Sequence, residues 1–564
     1  MKPLLRRNRR AHRTLLWVAA LIAFAPFTNA QQPDAPVRRL RGIIDKDESW
    51  SGRIVITDDL TILGATVTVQ PGCVVEFAQA AAGRHPVLTV GSEDRDRASL
   101  RLAATADRPI TFRSRPDTNN GRIVVYVRNR IVPGEAATVS SFQPPPARSE
   151  PDDITWQHVR FVSLGHPRDV DLPSQERSRQ EPCLSFKLIG WGHTVRLADC
   201  SFDATSRLLI LADDESKITV EGNRFRRPAE RSAIEINGQH IKHKPGSTVV
   251  AKNHTAAAIV LNDLPTTTKD NVLIGVNAAI VLRGKSFSQS RIADNYIHNT
   301  TQKDDGHYCL DTEDPNVRIE GNIFRGATTC VLTGSRHMTG NVFVGAPDLS
   351  SRYVRKSRTH QLVAALPAGS TFEHNLLLGP AHSLLIPQPL GKTIGMENAT
   401  GPTVIRHNVF DGLADTARAI HLNPIGRSSV TVAVYNNLFL RGDCVIYDEG
   451  KTSTSIIYAD HNAYAPRPHR IFDQVQVGQT KRGQPGWAAH DVQRDDVSEL
   501  GLRSPPPQRV ADYDADVEAG RQSIAQVRQA LFAGYQPQPG SPLIGAGRRL
   551  EGDSADRPPI GAGR

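Results

Sequence analysis

The sequence is poor in cysteine, methionine and aromatic side chains, with six Cys, three Met and 6% Phe, Trp and Tyr in 564 residues. No two of the cysteines (Cys73, Cys183, Cys200, Cys309, Cys330 and Cys444) form a CxxC pair, which excludes a zinc ribbon and a dithiol redox motif. At this density they read first as small buried hydrophobes, and no disulfide pairing is legible. GxSxG, a P-loop and a Rossmann fingerprint opening a helix are all missing. The HxxH at 240–243 has no Glu after its first His, so it is not a zincin motif. Beyond residue 30 no run of about 18 apolar residues offers a membrane-spanning helix.

The first thirty residues read as a signal peptide. "MKPLLRRNRRAHR" is a basic n-region, "TLLWVAALIAFAPF" an apolar core of signal length, and "TNA" a small-residue cleavage context ending at Ala30. Lys2, Arg6, Arg7, Arg9, Arg10 and Arg13 lie in this leader without any acid, so its removal takes the formal charge from +10 to +4. A near-neutral mature chain argues against a nucleic-acid partner. The expected location is periplasmic or secreted, with no transmembrane domain after cleavage.

A repeat is the strongest feature present. A short β-branched run, a polar residue or Gly, an Asn and an apolar pair recur in "ITVEGNRF" (218–225), "RIADNYI" (291–297), "VRIEGNIF" (317–324), "HMTGNVF" (337–343), "TFEHNLL" (371–377), "VIRHNVF" (404–410), "AVYNNLF" (433–439) and "IYADHNAY" (457–464). "VRLADCSF" (195–202), with Cys200 at the Asn position, and "VVAKNHTA" (249–256) are variants. Each unit is two short strands around a bend, where Asn tolerates positive φ and hydrogen-bonds locally. Such a unit cannot bury its own apolar face, so successive units must stack. Stacking at about 4.8 Å would align the asparagines into a ladder. No 3.6-residue apolar period accompanies the repeat, which excludes a helical solenoid. The expected fold is all-β, a parallel β-solenoid over 45–475, opened by the alternating "DLTILGATVTVQPGCVVEF" (59–77).

This pattern resembles the right-handed parallel β-helix, or pectin-lyase-like, superfamily. Residues 85–114 look like its opening coils, and "GSPLIGAG" with "DRPPIGA" (540–562) looks like the closing region of exported β-helix proteins. The resemblance implies the fold and leaves the activity open, because this fold hosts lyases, hydrolases, epimerases, adhesins and inert scaffolds. Pro-rich segments at 141–153, 166–182 and 500–515 read as loops. Residues 514–535, with Val517, Ile524, Val527, Leu531 and Phe532 at mostly helical spacing, predict one helix in a C-terminal cap (476–564) seated on the end of the solenoid.

Three candidate sites emerge. The acidic stretch "QKDDGHYCLDTED" (302–314) falls between the Asn295 and Asn322 units. Asp304, Asp305, Asp311 and Glu313, with Asp314 beside them, could supply hard oxygen ligands to Ca²⁺, the one cofactor the residues suggest. Asp304, Asp305, His307 and Asp311 are the expected catalytic groups, by lyase or hydrolase chemistry. Within "YCLD", Tyr308 or Cys309, together with Leu310, reads as inward-facing strand. The basic stretch 351–360 could grip an acidic polysaccharide with Arg352, Arg355 and Lys356 and stack a sugar on Tyr353. Last, the residue before each ladder Asn is His at 374, 407 and 461, a polar stack at the bend or, less simply, a transition-metal site. The expected function is that of an exported, monomeric β-helix protein that binds, and in the stronger form cleaves, an acidic polysaccharide. The alternative is a non-catalytic envelope scaffold or adhesin-like binding protein.

Overall fold

The computed structural model describes residues 37–78, 85–93, 98–114, 121–128, 153–165, 182–228, 232–238, 241, 245–284, 290–300, 308–312, 314–326, 329–345, 361–364, 366–367, 369–379, 382–387, 401–412, 418–423, 430–442, 444–448, 455–468, 470–474, 481–482, 488–504, 512–550 and 558–561. The expected signal peptide and most of the Pro-rich segments lie outside them. A single turn shows how the chain folds: one strand (Lys217–Glu221) leads into the bend, a second (Arg224–Arg226) leaves it, and a third (Ser232–Asn237) completes the turn. The next turn repeats this with Ser247–Ala251, His254–Thr255 and Ala258–Asn262, each paired in parallel with its predecessor. Thirteen strands stack in the row before the bend, from Asp153–Gln157 to Lys481–Arg482. The other two rows run from the N-terminal strand Arg38–Ile44 to Val492–Gln493. The molecule is the parallel β-helix expected. Among the described residues no helix is long and apolar enough to cross a membrane.

Strand alternation explains the core. Successive side chains point to opposite faces, so Ile218, Val220, Phe225, Ile234 and Ile236 all turn inward and are buried. Parallel register then places like on like. Phe112, Phe161, Phe202 and Phe225 stack with centroids 5.8, 4.7 and 4.4 Å apart, and Phe410, Phe439 and Tyr464 continue the motif near the far end. None of the six cysteines forms a disulfide and all are buried, as their sparse spacing suggested.

The ladder is continuous over ten asparagines: 223, 253, 271, 295, 322, 341, 375, 408, 437 and 462, all fully buried. At each rung the Oδ1 of one Asn accepts from both the main-chain N–H and the Nδ2 of the Asn before it, as Asn375 Oδ1 does from Asn341 at 2.9 and 3.1 Å. Cys200 N–H donates to Asn223 at the first rung, and Asp491 Oδ1 accepts from Asn462 N–H at the last. The residue preceding each ladder position lies in the left-handed region, at φ 51° for Asp294, 55° for His374 and His407, 58° for Asn436 and 57° for His461. The side-chain bonds of the ladder hold this otherwise unfavourable bend in place.

The C-terminal segment differs from expectation in two ways. The helix read as one element is two, Asp514–Glu518 and Ile524–Ala533, separated at Gly520 (φ 69°). Ser523 starts the second with a reciprocal capping box to Gln526. The segment also does not sit on the end of the coil. It runs back along the flank, where Leu500, Val517, Ile524, Val527, Leu531, Leu543 and Ile560 pack on Val272, Tyr296, Ile323, Val342, Leu376, Val409, Leu438 and Ala463. These eight are successive outward positions of the row that leaves the bend. An apolar outer column needs a cover, and this need places the segment on the flank. Polar clasps fix it: Asp514 with Tyr296 and His298, Arg325 with Asp512, Arg528 with Asp294 and the Gly321 carbonyl, Tyr535 with Asp411, and the Arg548 backbone with Asn436.

Candidate functional site

Of the acidic stretch, Asp304, Asp305, His307 and Glu313 lie outside the described residues, as do Arg352, Tyr353, Arg355 and Lys356 of the basic one. Asp311 sits on the strand Leu310–Thr312, pointing outward and half-buried between Val281 and Leu332. Cys309 and Leu310 are buried, in keeping with a structural role. Asp314 is also structural: its Oδ1 accepts from Asn316 N–H at 2.9 Å, and burial pushes its carboxyl up. The described strands that flank the two stretches, Tyr296–Asn299 with Leu310–Thr312 and Val342–Val344 with Gln361–Ala364, belong to the same two rows, two rungs apart.

Sequence reading missed a groove of about 630 Å³ on the row that leaves the bend. Arg224, Arg226, Arg227, His254, Asp203 and Glu518 line it, over a floor that includes Val272 and Ile274. The strand Arg224–Arg226 turns Phe225 inward, so both flanking arginines are exposed. Neither makes an ion pair among the described residues, whereas Arg227 clamps Asp203 through both carboxylate oxygens at 2.9 Å. Register extends the cationic column: Arg160, Ser201, Arg224 and His254 occupy successive rungs. Burial lowers the His254 imidazole below its ordinary range, Arg224 lowers it further, and Glu518 opposes them. Two free guanidinium groups over an apolar floor can take carboxylate or sulfate in bidentate fashion. The groove ends at Ile274, one rung before His298 and the turn that carries 302–314.

The residues preceding the ladder do form a polar stack. His374 and His407 lie face to face at 5.0 Å and 5°, and Asn436 Nδ2 approaches His407 Nε2 at 3.4 Å. His461 follows one rung later and stacks on His490, a residue the sequence reading did not single out. His374 and His407 thus take the stacking role. Among the described residues, the one group of three His, Cys, Asp or Glu donors close enough to share an ion is Asp460, His461 and His490. Asp311 is not in it, so it offers calcium a single carboxylate from the described part of its stretch.

No family model matches the chain, and no curated protein sequence does. Among solved structures the chain is similar to one described as the crystal structure of pectate lyase Pel9A, at 12% identity and a TM-score of 0.22, covering 89% of this chain and 88% of that one.

Proposed function

We propose that this is an exported protein that binds an acidic polysaccharide in the groove of Arg224, Arg226 and His254. The observation that carries the reading is the pair of exposed arginines without ion partners among the described residues, on a strand above an apolar floor. Parallel strands hold these groups at fixed spacing, so binding a repeating anionic chain requires little reorganisation. The signal-like leader places the protein where such polymers occur. The acidic stretch 302–314 and the basic stretch 351–360 belong to the same reading, because the strands that flank them lie in the same two rows, two rungs apart, and Ile274 of the groove pairs with His298 of the strand before the acidic stretch. Cleavage with Ca²⁺, with Asp311 and its neighbours as the reacting carboxylates, is the stronger form of the proposal.

Titration with polygalacturonate, alginate and heparin, with and without Ca²⁺, tests it directly. The double variant R224E/R226E should bind at least about tenfold more weakly at low salt, with unchanged thermal unfolding, because two surface cations become anions. Equal affinity of variant and native protein overturns the groove assignment. Unsaturated products or new reducing ends that vanish in D311N establish cleavage. Binding without either product leaves a carbohydrate-binding protein.

A further inference from the structure

We propose that Asp460, His461 and His490 form a binding site for one divalent transition-metal ion of the Zn²⁺ class at the C-terminal end of the ladder. Two imidazoles and a carboxylate are a donor set suited to such ions, with a fourth position left for water. Asp460 Oδ2 lies 2.8 Å from His490 Nδ1 and 3.2 Å from His461 Nδ1. All three donor atoms fall within 4.8 Å of one another. Ligands bonded at about 2.1 Å to a tetrahedral ion sit roughly 3.4 Å apart, close to both carboxylate–imidazole separations, and the two rings, stacked at 4.6 Å and 23°, must turn toward each other to seat it.

The surroundings prearrange the site. Asp460 Oδ1 accepts from the main-chain N–H groups of His461 and His490 at 2.9 and 2.8 Å, which turns Oδ2 toward both rings. This is the orienting contact that metal-bound carboxylates use. His461 is held in the left-handed bend by the ladder, and Ala488 N–H bonds the Ala459 carbonyl, fixing the turn that presents His490. His461 Nδ1 is shielded from solvent, with Asp460 Oδ2 beside it at 3.2 Å. The same column offers a contrast. Glu373 at the equivalent place is neutralised by Arg406 at 2.7 Å, whereas Asp460 faces two imidazoles. Arg548, over the neighbouring Tyr435 ring, is the nearby cation that an ion would have to tolerate. His490 is 64% exposed, leaving the ion an entry path.

The test uses the full-length chain, stripped with chelator and titrated with Zn²⁺ by calorimetry, then with Co²⁺ by visible absorption. One ion per chain is expected, with a Co²⁺ spectrum of four-coordinate type. D460N and H490A should each weaken Zn²⁺ at least about tenfold, and H407A, in the stack without a carboxylate, should leave it unchanged. His490 is exposed, so H490A also guards against loss of folding. Absence of Zn²⁺ binding, or binding that survives both D460N and H490A, overturns the proposal.

Discussion

One row of strands carries two different outer surfaces. From Arg160 to His254 the outward column is polar, with Arg160 and Arg224 exposed; from Val272 to Ala463 the same column is apolar and lies under the C-terminal segment. The backbone, the ladder and the inward core continue unbroken across the change. The coil therefore sets only positions, and the outward side chains decide whether a rung meets a ligand or a cover. Glu518, at the end of the first helix of the cover, marks the boundary and lines the groove.

The largest expected effect comes from forcing the covered half open. Val527 is fully buried against the apolar column, and V527D places a charge there at a cost of several kcal/mol. Dye binding to exposed apolar surface and proteolysis within 500–550 should both rise, while polysaccharide affinity in the open half changes less than about twofold. A matching loss of affinity would mean that the halves are not independent.

Cutting the ladder comes next. N253A removes the acceptor for Asn223 N–H and the donor to the Val220 carbonyl, leaving two buried groups unmatched, for roughly 3 kcal/mol. N408A does the same to Asn375 N–H and the Phe372 carbonyl. Hydrogen exchange should accelerate over more rungs in N253A than in N408A, because the cover braces only the second. Equal spread would remove the bracing role.

The smallest effect is on pH. With its pKa held below the ordinary value by burial and by Arg224, His254 is neutral at pH 7 and gains charge as the pH falls through that lowered value. Affinity for the polyanion should then rise about threefold as the pH falls from 7 to below that lowered value, the contribution of one charge roughly 6 Å from the ligand in water. H254Q should flatten the profile; a rise that persists assigns the titration elsewhere.

Much of this architecture was legible because the repeat writes it locally. The bend needs a residue that tolerates positive φ followed by Asn, and nearly every rung shows that pair. Asn271 escaped because the strand before it, Thr266–Lys269, is polar and gives no hydrophobic signal, although "DNVLIG" repeats the bend chemistry of "DNYI". The covered flank was also written in the chain. The residue after each ladder Asn points outward, and it changes from Arg224 and His254 to Val272, Tyr296, Ile323 and onward apolar residues. Read as a column, that change announces a cover starting at Val272. The seat of the cover and the Asp460–His490 contact were not legible. The first depends on a segment returning from far along the chain; the second lies on the next rung, 30 residues on, which was not read because Asp491 stands there in place of the ladder Asn.

The central claim is that the open half of this row is the polysaccharide-binding surface, and a hydrogen-exchange footprint with polygalacturonate tests it most directly. Slowed exchange confined to 224–227, 254–256 and the adjoining 302–314 turn, with the strands from Val342 to Ala463 unchanged, is the expected result. Protection that appears only on the covered half, or nowhere along the row, would contradict it.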